Sequence, residues 1–275
     1  MIPMNEAYGN AASVRAYCNA DRSAPIWGEI QHSLWLNNFN KVNERRSRLF
    51  PKLFTWNSVI SFENSIPIGD PMGYFLKKNP PNLVENTREV ILLPKFRRVL
   101  SIEERVSHYK YFMSEAMGRF PNAHFLLSIH PEEIKYRDQI LTGQFSNIRI
   151  HDPKNIENPM QEYVSLFENA RLLFTDYLGA HVFRAQSYFN LKSEFTIETW
   201  ENQLIDKKMK EHFEEFVSVR SDRDAKKISD LLLGVDYLKS PEELSKILGL
   251  RKIKSATGKI IRKKYINYSQ RTVEK

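Results

Sequence analysis

The chain has 275 residues, of which 41% are hydrophobic and 27% charged, with one cysteine and a formal net charge of +8. This length can bury one large core or two modest ones. The composition is that of an ordinary soluble globular protein, and a single cysteine excludes an internal disulfide. No apolar run is long enough to cross a bilayer, and the first residues show no basic or apolar stretch of the secretory type. These features predict a cytoplasmic protein.

The positive charge is concentrated in residues 251–275, which carry nine Lys or Arg against one Glu, so residues 1–250 are neutral overall. A surface for nucleic acid would need basic residues over the folded body, and no nucleic-acid partner is expected. The basic segment indicates an anionic membrane surface or a lipid-linked acceptor. A solvated terminal helix or tail is an equal alternative. The predicted localisation is therefore cytoplasmic, either free or peripheral at the inner face of the cell membrane.

The first 80 residues predict a small α/β domain, because short apolar runs alternate with helical spacing and with Gly and Pro turns. The predicted elements are a helix over 11–17 capped by Asn10, strands over 26–30, 53–56 and 66–68, a tight turn over 69–73, and a polar linker over 77–88 with two adjacent prolines.

His32 follows the first predicted strand, together with Gln31. An imidazole at the carboxyl end of a strand is a candidate base or phosphate ligand, because its proton exchanges near neutral pH. A packed, hydrogen-bonded histidine beside Trp35 is the alternative reading.

Strands and helices alternate regularly after the linker, which predicts a parallel sheet with helices on both faces. The division expected is a reduced amino-terminal domain over 1–80, a Rossmann-like domain over 81–235, and helices with the basic tail over 236–275. The predicted strands are 89–93, 123–129, 148–150 and 171–174; the predicted helices are 102–118, 131–141, 159–168, 178–187, 198–219, 222–233 and 241–248, the last ending at Gly249.

Cations, imidazoles and hydroxyls follow the strands of this second domain. Ligands of open parallel sheets bind outside the carboxyl ends of the strands, and this set of groups suits a phosphate or diphosphate. Pro131 fits the first position of a helix and places His130 at its cap, while Glu132 and Glu133 need only complement the helix dipole. The residues in question are Lys95, Arg97, Arg98, His130, Pro131, His151, Asp152, Thr175 and Asp176.

Thr175 and Asp176 form the turn around which the rest is organised, between a buried strand and a helix. A helix start after a strand favours an anion, whereas a simple helix cap by Asp176 is the alternative. Gly-x-Gly-x-x-Gly and Gly-Lys-Ser/Thr loops are absent from the sequence, which argues against a dinucleotide oxidoreductase or a P-loop enzyme. Asp222 and Asp224 lie in a charged helical stretch, and no metal site is expected.

Six short motifs occur in a characteristic order and spacing over most of residues 5–250. They are Val90-Ile-Leu-Leu-Pro-Lys-Phe-Arg97, Leu127-Ser-Ile-His-Pro131, Ala170-Arg-Leu-Leu-Phe-Thr-Asp-Tyr177, Ile26-Trp-Gly-Glu-Ile-Gln-His-Ser33, Ile68-Gly-Asp-Pro71, and the helix Ser240-Pro-Glu-Glu-Leu to Leu248. Together they resemble GT-B transferases of bacterial surface polymers, and are similar to CDP-glycerol glycerophosphotransferases and to capsule or lipopolysaccharide glycosyltransferases.

The resemblance implies a GT-B-like α/β fold, with two Rossmann-like domains whose parallel sheets face a cleft, and donor phosphates bound by Arg97, His130 and Thr175. His32 would lie across the cleft as the base, with Glu29 and Glu6 as second choices. Where the polyol-phosphate transferases carry two serines, this chain has Leu178 and Gly179; His181 and Arg184 are the expected substitutes. The first domain is short for a GT-B acceptor domain, so either it is reduced or residues before Met1 are absent.

The function expected from this resemblance is metal-independent transfer of a sugar from a CMP-, CDP- or UDP-linked donor to a surface polysaccharide or its lipid-linked precursor. No further cofactor is expected. A polyol-phosphate transferase and a non-catalytic binding protein with a basic tail remain as alternatives. The expected catalytic residues are His32 and Glu29, and the expected donor-binding residues are Lys95, Arg97, His130, Pro131, Thr175, Asp176, His181 and Arg184.

Overall fold

The computed structural model describes residues 9–31, 52–59, 64–84, 87–95, 100–146, 148–151, 159–196 and 207–250. They divide into two compact units, one within residues 1–80 and from 231 onward, the other within 81–230. The described residues from 236 to 250 therefore group with the first unit rather than forming a third part.

Helices and strands alternate through most of the chain. The first unit begins with α1 (Asn10–Tyr17), β1 (Glu29–Ile30), β2 (Leu53–Thr55), β3 (Ser65–Pro67) and α2 (Pro71–Lys78). The second contains β4 (Glu89–Leu93), α3 (Ile102–Arg119), β5 (His124–Ser128), α4 (Arg137–Ile140), β6 (Arg149–His151), α5 (Pro159–Glu168), β7 (Ala170–Thr175), α6 (Ala180–Phe189), β8 (Lys192–Phe195) and α7 (Lys207–Ser218). The chain continues through α8 (Asp222–Leu233) and α9 (Pro241–Leu248), and 3-10 turns occur at Pro131–Tyr136, Gly143–Phe145 and Val235–Tyr237.

The first unit has a parallel three-stranded sheet in the order β1-β2-β3. Its first strand is shorter than predicted, because the backbone N–H of Trp27 donates to the carbonyl of Leu248 instead of joining the sheet. The predicted tight turn at 69–73 is instead a helix start: Asp70 caps α2 by accepting the N–H of Met72 at 3.3 Å, and Pro71 occupies the first helical position.

The core of the first unit joins residues from both ends of its sequence. Aromatic and aliphatic side chains of α1, the sheet and α2 pack with those of α9, and each large apolar side chain that is fully buried contributes about 1.5–3 kcal/mol. The fully buried members include Val14, Ile30, Phe54, Tyr74, Leu244 and Leu248.

The second unit has a parallel five-stranded sheet in the order β6-β5-β4-β7-β8. In this sheet the central strand β4 comes first in the sequence, β5 and β6 follow on one side of it, and β7 and β8 follow on its other side. The order of strands therefore reverses between β4 and β7, which is the switch point where ligands of such sheets bind. The prediction of an α/β fold with parallel sheets and a helical end is confirmed for the described residues.

Two predictions about the second unit need correction. β8 was not predicted, because its polar residues hide the strand pattern at the edge of the sheet, where only one neighbour, β7, contributes hydrogen bonds. The predicted helix over 131–141 is a 3-10 turn followed by α4, because Tyr136 at φ −100° and ψ 6° interrupts the α-helical hydrogen bonds.

Helix α3 covers one face of the larger sheet. Tyr109, Phe112 and Met113 on this helix are buried against the sheet, and the ring centroids of Phe112 and Phe174 lie 5.0 Å apart. This packing fixes the first turns of α3 over the carboxyl ends of the central strands. Among the residues described, no helix is both long enough and apolar enough to cross a membrane.

Candidate functional site at the carboxyl ends of β4, β5 and β7

The ends of β4 and β7 are tied together by side chains of the turn after β7. Thr175 pairs in register with Leu93, and its hydroxyl donates to the Leu93 carbonyl at 2.7 Å. Two residues beyond the end of β4, the backbone N–H of Lys95 donates to Oδ1 of Asp176 at 2.6 Å. Three of the predicted site residues, Lys95, Thr175 and Asp176, thus lie together at the switch point of the sheet.

Asp176 is not the cap of the following helix, so that alternative is wrong. Its side chain is 1% exposed, and its Oδ2 lies 2.9 Å from Nε2 of His108 on α3. The cap position of α6 is occupied by Gly179 instead. The carboxylate therefore links the turn after β7 to the turn after β4 and to helix α3.

The two helices that flank the switch point differ at their N-termini. On α3, Ser101 and Glu104 form a capping box, and Glu103 adds a second negative charge to the first turn. On α6, Gly179 provides no side-chain cap, and the first turn holds no acidic residue. The N-terminus of α6 therefore favours an anion, whereas at α3 the hydroxyl of Ser101 already accepts the Glu104 N–H and Glu103 and Glu104 complement the dipole.

His181 lies beneath the start of α6 as a neutral group. Its Nε2 is 3.3 Å from the hydroxyl oxygen of Thr175, and its ring centroid is 4.3 Å from that of Tyr177. Burial lowers the pKa of His181 to about 3, and the nearby charge of Arg184 acts in the same direction, while Asp176 opposes the shift. At neutral pH this imidazole therefore contributes a hydrogen-bonding group and no positive charge.

Arg184 is also buried, one turn beyond His181. Its guanidinium stacks over the ring of Tyr163 on α5, 5.4 Å from the ring centroid. This contact fixes the side chain between two helices. A contact between Arg184 and a donor stays a prediction.

His130 caps the 3-10 turn after β5, as predicted, with Pro131 in the first position. Its Nδ1 accepts the N–H of Glu132 at 3.3 Å. The neutral imidazole must then carry its proton on Nε2, which makes that atom a hydrogen-bond donor.

Glu133 has a structural role that the sequence did not predict. It is buried, with its carboxylate accepting the hydroxyl of Tyr109 at 2.5 Å and contacting Arg105 at 3.3 Å. Burial and the Glu133 carboxylate raise the pKa of Tyr109, which also bonds to the backbone of His130. The expectation that Glu133 only complements a helix dipole is wrong, because it attaches the His130 turn to α3.

A shallow depression of about 300 Å³ lies beside this turn. Two cationic side chains, Arg105 and Lys135, contribute to its wall, so its rim is basic on one side. The lining residues are Arg105, Pro131, Glu132, Lys135 and Tyr136.

The residue before His32 is firmly held at the carboxyl end of the smaller sheet. Gln31 accepts the backbone N–H of Trp56 at Oε1, 2.8 Å away, and its carbonyl accepts the Trp56 indole N–H at 2.9 Å. Asn10, predicted as a helix cap, instead donates its amide to the same carbonyl at 3.3 Å, and Gly9 takes the cap position with φ +74°. Glu29 is 1% exposed within β1.

Some predicted site residues lie outside the described residues, namely His32, Arg97, Arg98 and Asp152. The basic segment 251–275 and Glu6 lie outside them too. Conversely, His108 and Tyr109 contact predicted site residues although neither was itself predicted. The signal was available in the spacing of Arg105, His108 and Tyr109, which places them on one face of α3.

Within the part of the chain that the structure describes, no three His, Cys, Asp or Glu side chains come together in a way that could hold a metal ion. Asp224, part of the pair noted in the sequence, forms an ion pair with Lys227 at 3.0 Å and accepts the hydroxyl of Ser221.

No protein-family model matches the sequence, and no curated protein sequence matches it. Among solved structures the chain is similar to UDP-GlcNAc 2-epimerase from Neisseria meningitidis bound to UDP-GlcNAc, with 14% identity, a TM-score of 0.42, and 94% of this chain and 73% of that chain covered. The chain is also similar to an S. aureus MnaA–UDP co-structure, with 10% identity and a TM-score of 0.46. That match covers 93% of this chain and 83% of the other.

The wall teichoic acid polymerase TagF is a third similar structure, at 13% identity and a TM-score of 0.40. The match covers 86% of this chain and 62% of TagF, so the chain spans less than two thirds of that protein. The motifs indicated a resemblance to this group of enzymes.

Proposed function

We propose that this protein is a glycosyltransferase of GT-B type that moves a sugar from a nucleotide-activated donor to a surface polysaccharide or its lipid-linked precursor. The observation that carries the proposal is the N-terminus of α6, which has no side-chain cap and no acidic residue in its first turn and follows the switch point of a parallel sheet. A nucleotide diphosphate is the anion that such a position suits best.

The chemistry proposed is largely electrostatic. As the bond between the sugar carbon and the phosphate oxygen breaks, negative charge develops on the departing nucleotide. The N–H groups of α6, the Nε2–H of His130 and the cations of Lys95 and Arg97 would stabilise that charge. At the same time the acceptor hydroxyl gives its proton to a base and its oxygen bonds to the sugar carbon.

His32 is the base that we propose. It follows Gln31, whose backbone and side chain are both held by Trp56, and an imidazole accepts a proton near neutral pH. Glu29 is the weaker candidate, because a carboxylate that is 1% exposed has little access to an acceptor.

The test is a thermal-shift series on the full chain with CMP, CDP, UMP, UDP, GDP and dTDP at millimolar concentration. Saturation at 100 times the dissociation constant adds about 2.7 kcal/mol and raises the midpoint by a few degrees. The informative variant is His130→Asn, since Asn keeps the cap but lacks the reach of the imidazole Nε2. The exposed His124, at the opposite end of β5, is the matched control as His124→Asn.

A diphosphate that stabilises the wild type and His124→Asn, but stabilises His130→Asn less, supports the proposal. If no nucleotide stabilises the wild type, the proposal fails. A polyol-phosphate transferase would be distinguished by product mass, because its product gains phosphorus as well as carbon. Leu178 and Gly179 stand where the polyol-phosphate transferases carry two serines. Because the two serine hydroxyls are missing, we favour sugar transfer over polyol-phosphate transfer.

Residues 251–275 are proposed to bind anionic lipid. The full chain should bind vesicles that contain phosphatidylserine, with an affinity that falls as salt is raised from about 0.05 to 0.5 M, because counterions screen such contacts. Equal binding to neutral phosphatidylcholine vesicles would contradict this part of the proposal.

A further inference from the structure

Asp176 is the meeting point of three elements around the switch point. Its Oδ1 accepts the backbone N–H of Lys95, 2.6 Å away, from the turn after β4. Its Oδ2 lies 2.9 Å from Nε2 of His108 on α3. The side chain of His108 is 18% exposed and that of Asp176 is 1% exposed, so the contact is largely buried.

We propose that His108 is a positioning residue of the nucleotide site, an inference that rests on the function proposed above. The His108 imidazole lies against Oδ2, with Nε2 2.9 Å away, and so keeps the carboxylate from rotating out of the orientation in which Oδ1 receives the Lys95 N–H. That bond fixes Lys95, two residues before Arg97 in the sequence, against the peptide that leads to α6. His108 thus acts on the nucleotide through Asp176, without contacting it.

The physical reason is the cost of a buried carboxylate. A buried carboxylate that loses one of the groups packed against it can rotate, take up a proton or draw in water. Each of these changes weakens the bond to the Lys95 N–H. The Lys95 peptide and the peptide that leads to α6 would then lose their relative placement, and misplacement of groups in a binding site by a fraction of an ångström is costly.

The position of His108 is fixed by its neighbours on helix α3. The next residue, Tyr109, is buried and bonds to Glu133, and Phe112 packs on the sheet one turn later. Helix α3 is therefore anchored on the β5 side by Glu133 and on the β7 side by Asp176. Its first three turns form a rigid support from which His108 can orient a carboxylate.

The inference is tested by calorimetric titration of the full chain with CDP and UDP. The variants are His108→Ala, His108→Gln, Asp176→Asn and the double variant His108→Ala with Asp176→Asn; His124→Ala is the matched control. We expect His108→Ala to lower diphosphate affinity about tenfold. A change of this size lies within the range of interaction energies between two protein side chains in contact, here His108 and Asp176. His108→Gln should restore most of it, since the Gln amide reaches the position of Nε2.

Because His108 acts through Asp176, the double variant should bind no more weakly than Asp176→Asn alone, within about twofold. The inference would be overturned if the double variant lost diphosphate affinity by the product of the two single-variant factors. It would also be overturned if His108→Ala bound diphosphate as tightly as His124→Ala. If His108→Ala does not fold, His108→Asn replaces it in the test, because the shorter Asn amide does not reach Oδ2. In that case, equal diphosphate affinities of His108→Asn and His108→Gln would overturn the inference. Wild-type chain that binds neither CDP nor UDP refutes the proposed function itself.

Discussion

Gly179 packs directly against the imidazole of His181. A Cβ at position 179 would lie 2.9 Å from both Nδ1 and Cε1 of that ring, and 3.2 Å from the ring of Tyr177. With φ −162° the backbone of Gly179 is extended and open to any residue, so the constraint is steric. Because His181 is buried and its ring centroid lies 4.3 Å from that of Tyr177, the ring has little room to move.

Gly179→Ala should therefore destabilise the protein by about 1–3 kcal/mol, as overpacking commonly does. It should also abolish nucleotide-dependent stabilisation, because the clash displaces the start of α6. Gly118→Ala is the control: a Cβ there meets nothing within 4 Å, and alanine in a helix gains up to about 1 kcal/mol over glycine. Urea denaturation of both variants, with and without diphosphate, measures the contrast; equal stability of the two variants would contradict it.

Thr175 was expected to contact the donor's phosphates, but its hydroxyl is buried and engaged with the carbonyl of Leu93. Thr175→Val keeps the shape and removes that bond, so stability should fall by about 1–2 kcal/mol. Nucleotide affinity at temperatures where the variant is folded should stay within about twofold, and Thr175→Ser should recover stability. A tenfold loss of affinity in a folded Thr175→Val would instead restore a direct phosphate contact.

His181 gives the protein a defined response to acid. Its pKa lies at about 3 in the folded state and near 6.5 in the unfolded state. Between these values the unfolded chain binds more protons, so stability falls as pH drops from about 6.5 toward 3, by up to about 1.4 kcal/mol per pH unit. Urea titrations at pH 7.5 and 5 should show a smaller loss for His181→Gln than for wild type. A loss unchanged by the substitution would mean that His181 is not buried as a neutral group.

His32 is the base proposed for the acceptor hydroxyl. His32→Ala should lower turnover about 100- to 10,000-fold, the usual contribution of a general base, and leave diphosphate affinity nearly intact. The measurement compares turnover and calorimetric affinity in the same preparation, with His124→Ala as the matched control. Equal losses of turnover and affinity in His32→Ala would assign the residue a structural role.

Elements with strong local signals could be predicted from the sequence to the residue. Helix α9 begins at Pro241 behind a Ser240–Glu243 capping box and ends at Gly249, whose φ of +69° stops it, and all of these signals lie within ten consecutive residues. The same holds for β4, α5 and α8, whose predicted and observed limits coincide. Strand β8 was missed because its polar residues become a strand only when β7 supplies hydrogen bonds from elsewhere in the chain.

Hydrophobic periodicity and helix caps are local properties, so the amino-acid sequence predicts the alternation of strands and helices, the parallel sheet, and the placement of His130, Thr175 and Asp176 at strand ends. What those residues contact depends on how the elements pack. Asp176 finds its partners in Lys95, 81 residues away, and in His108 on a packed helix. Such pairings depend on strand order and helix packing, which bring together residues that no local pattern connects.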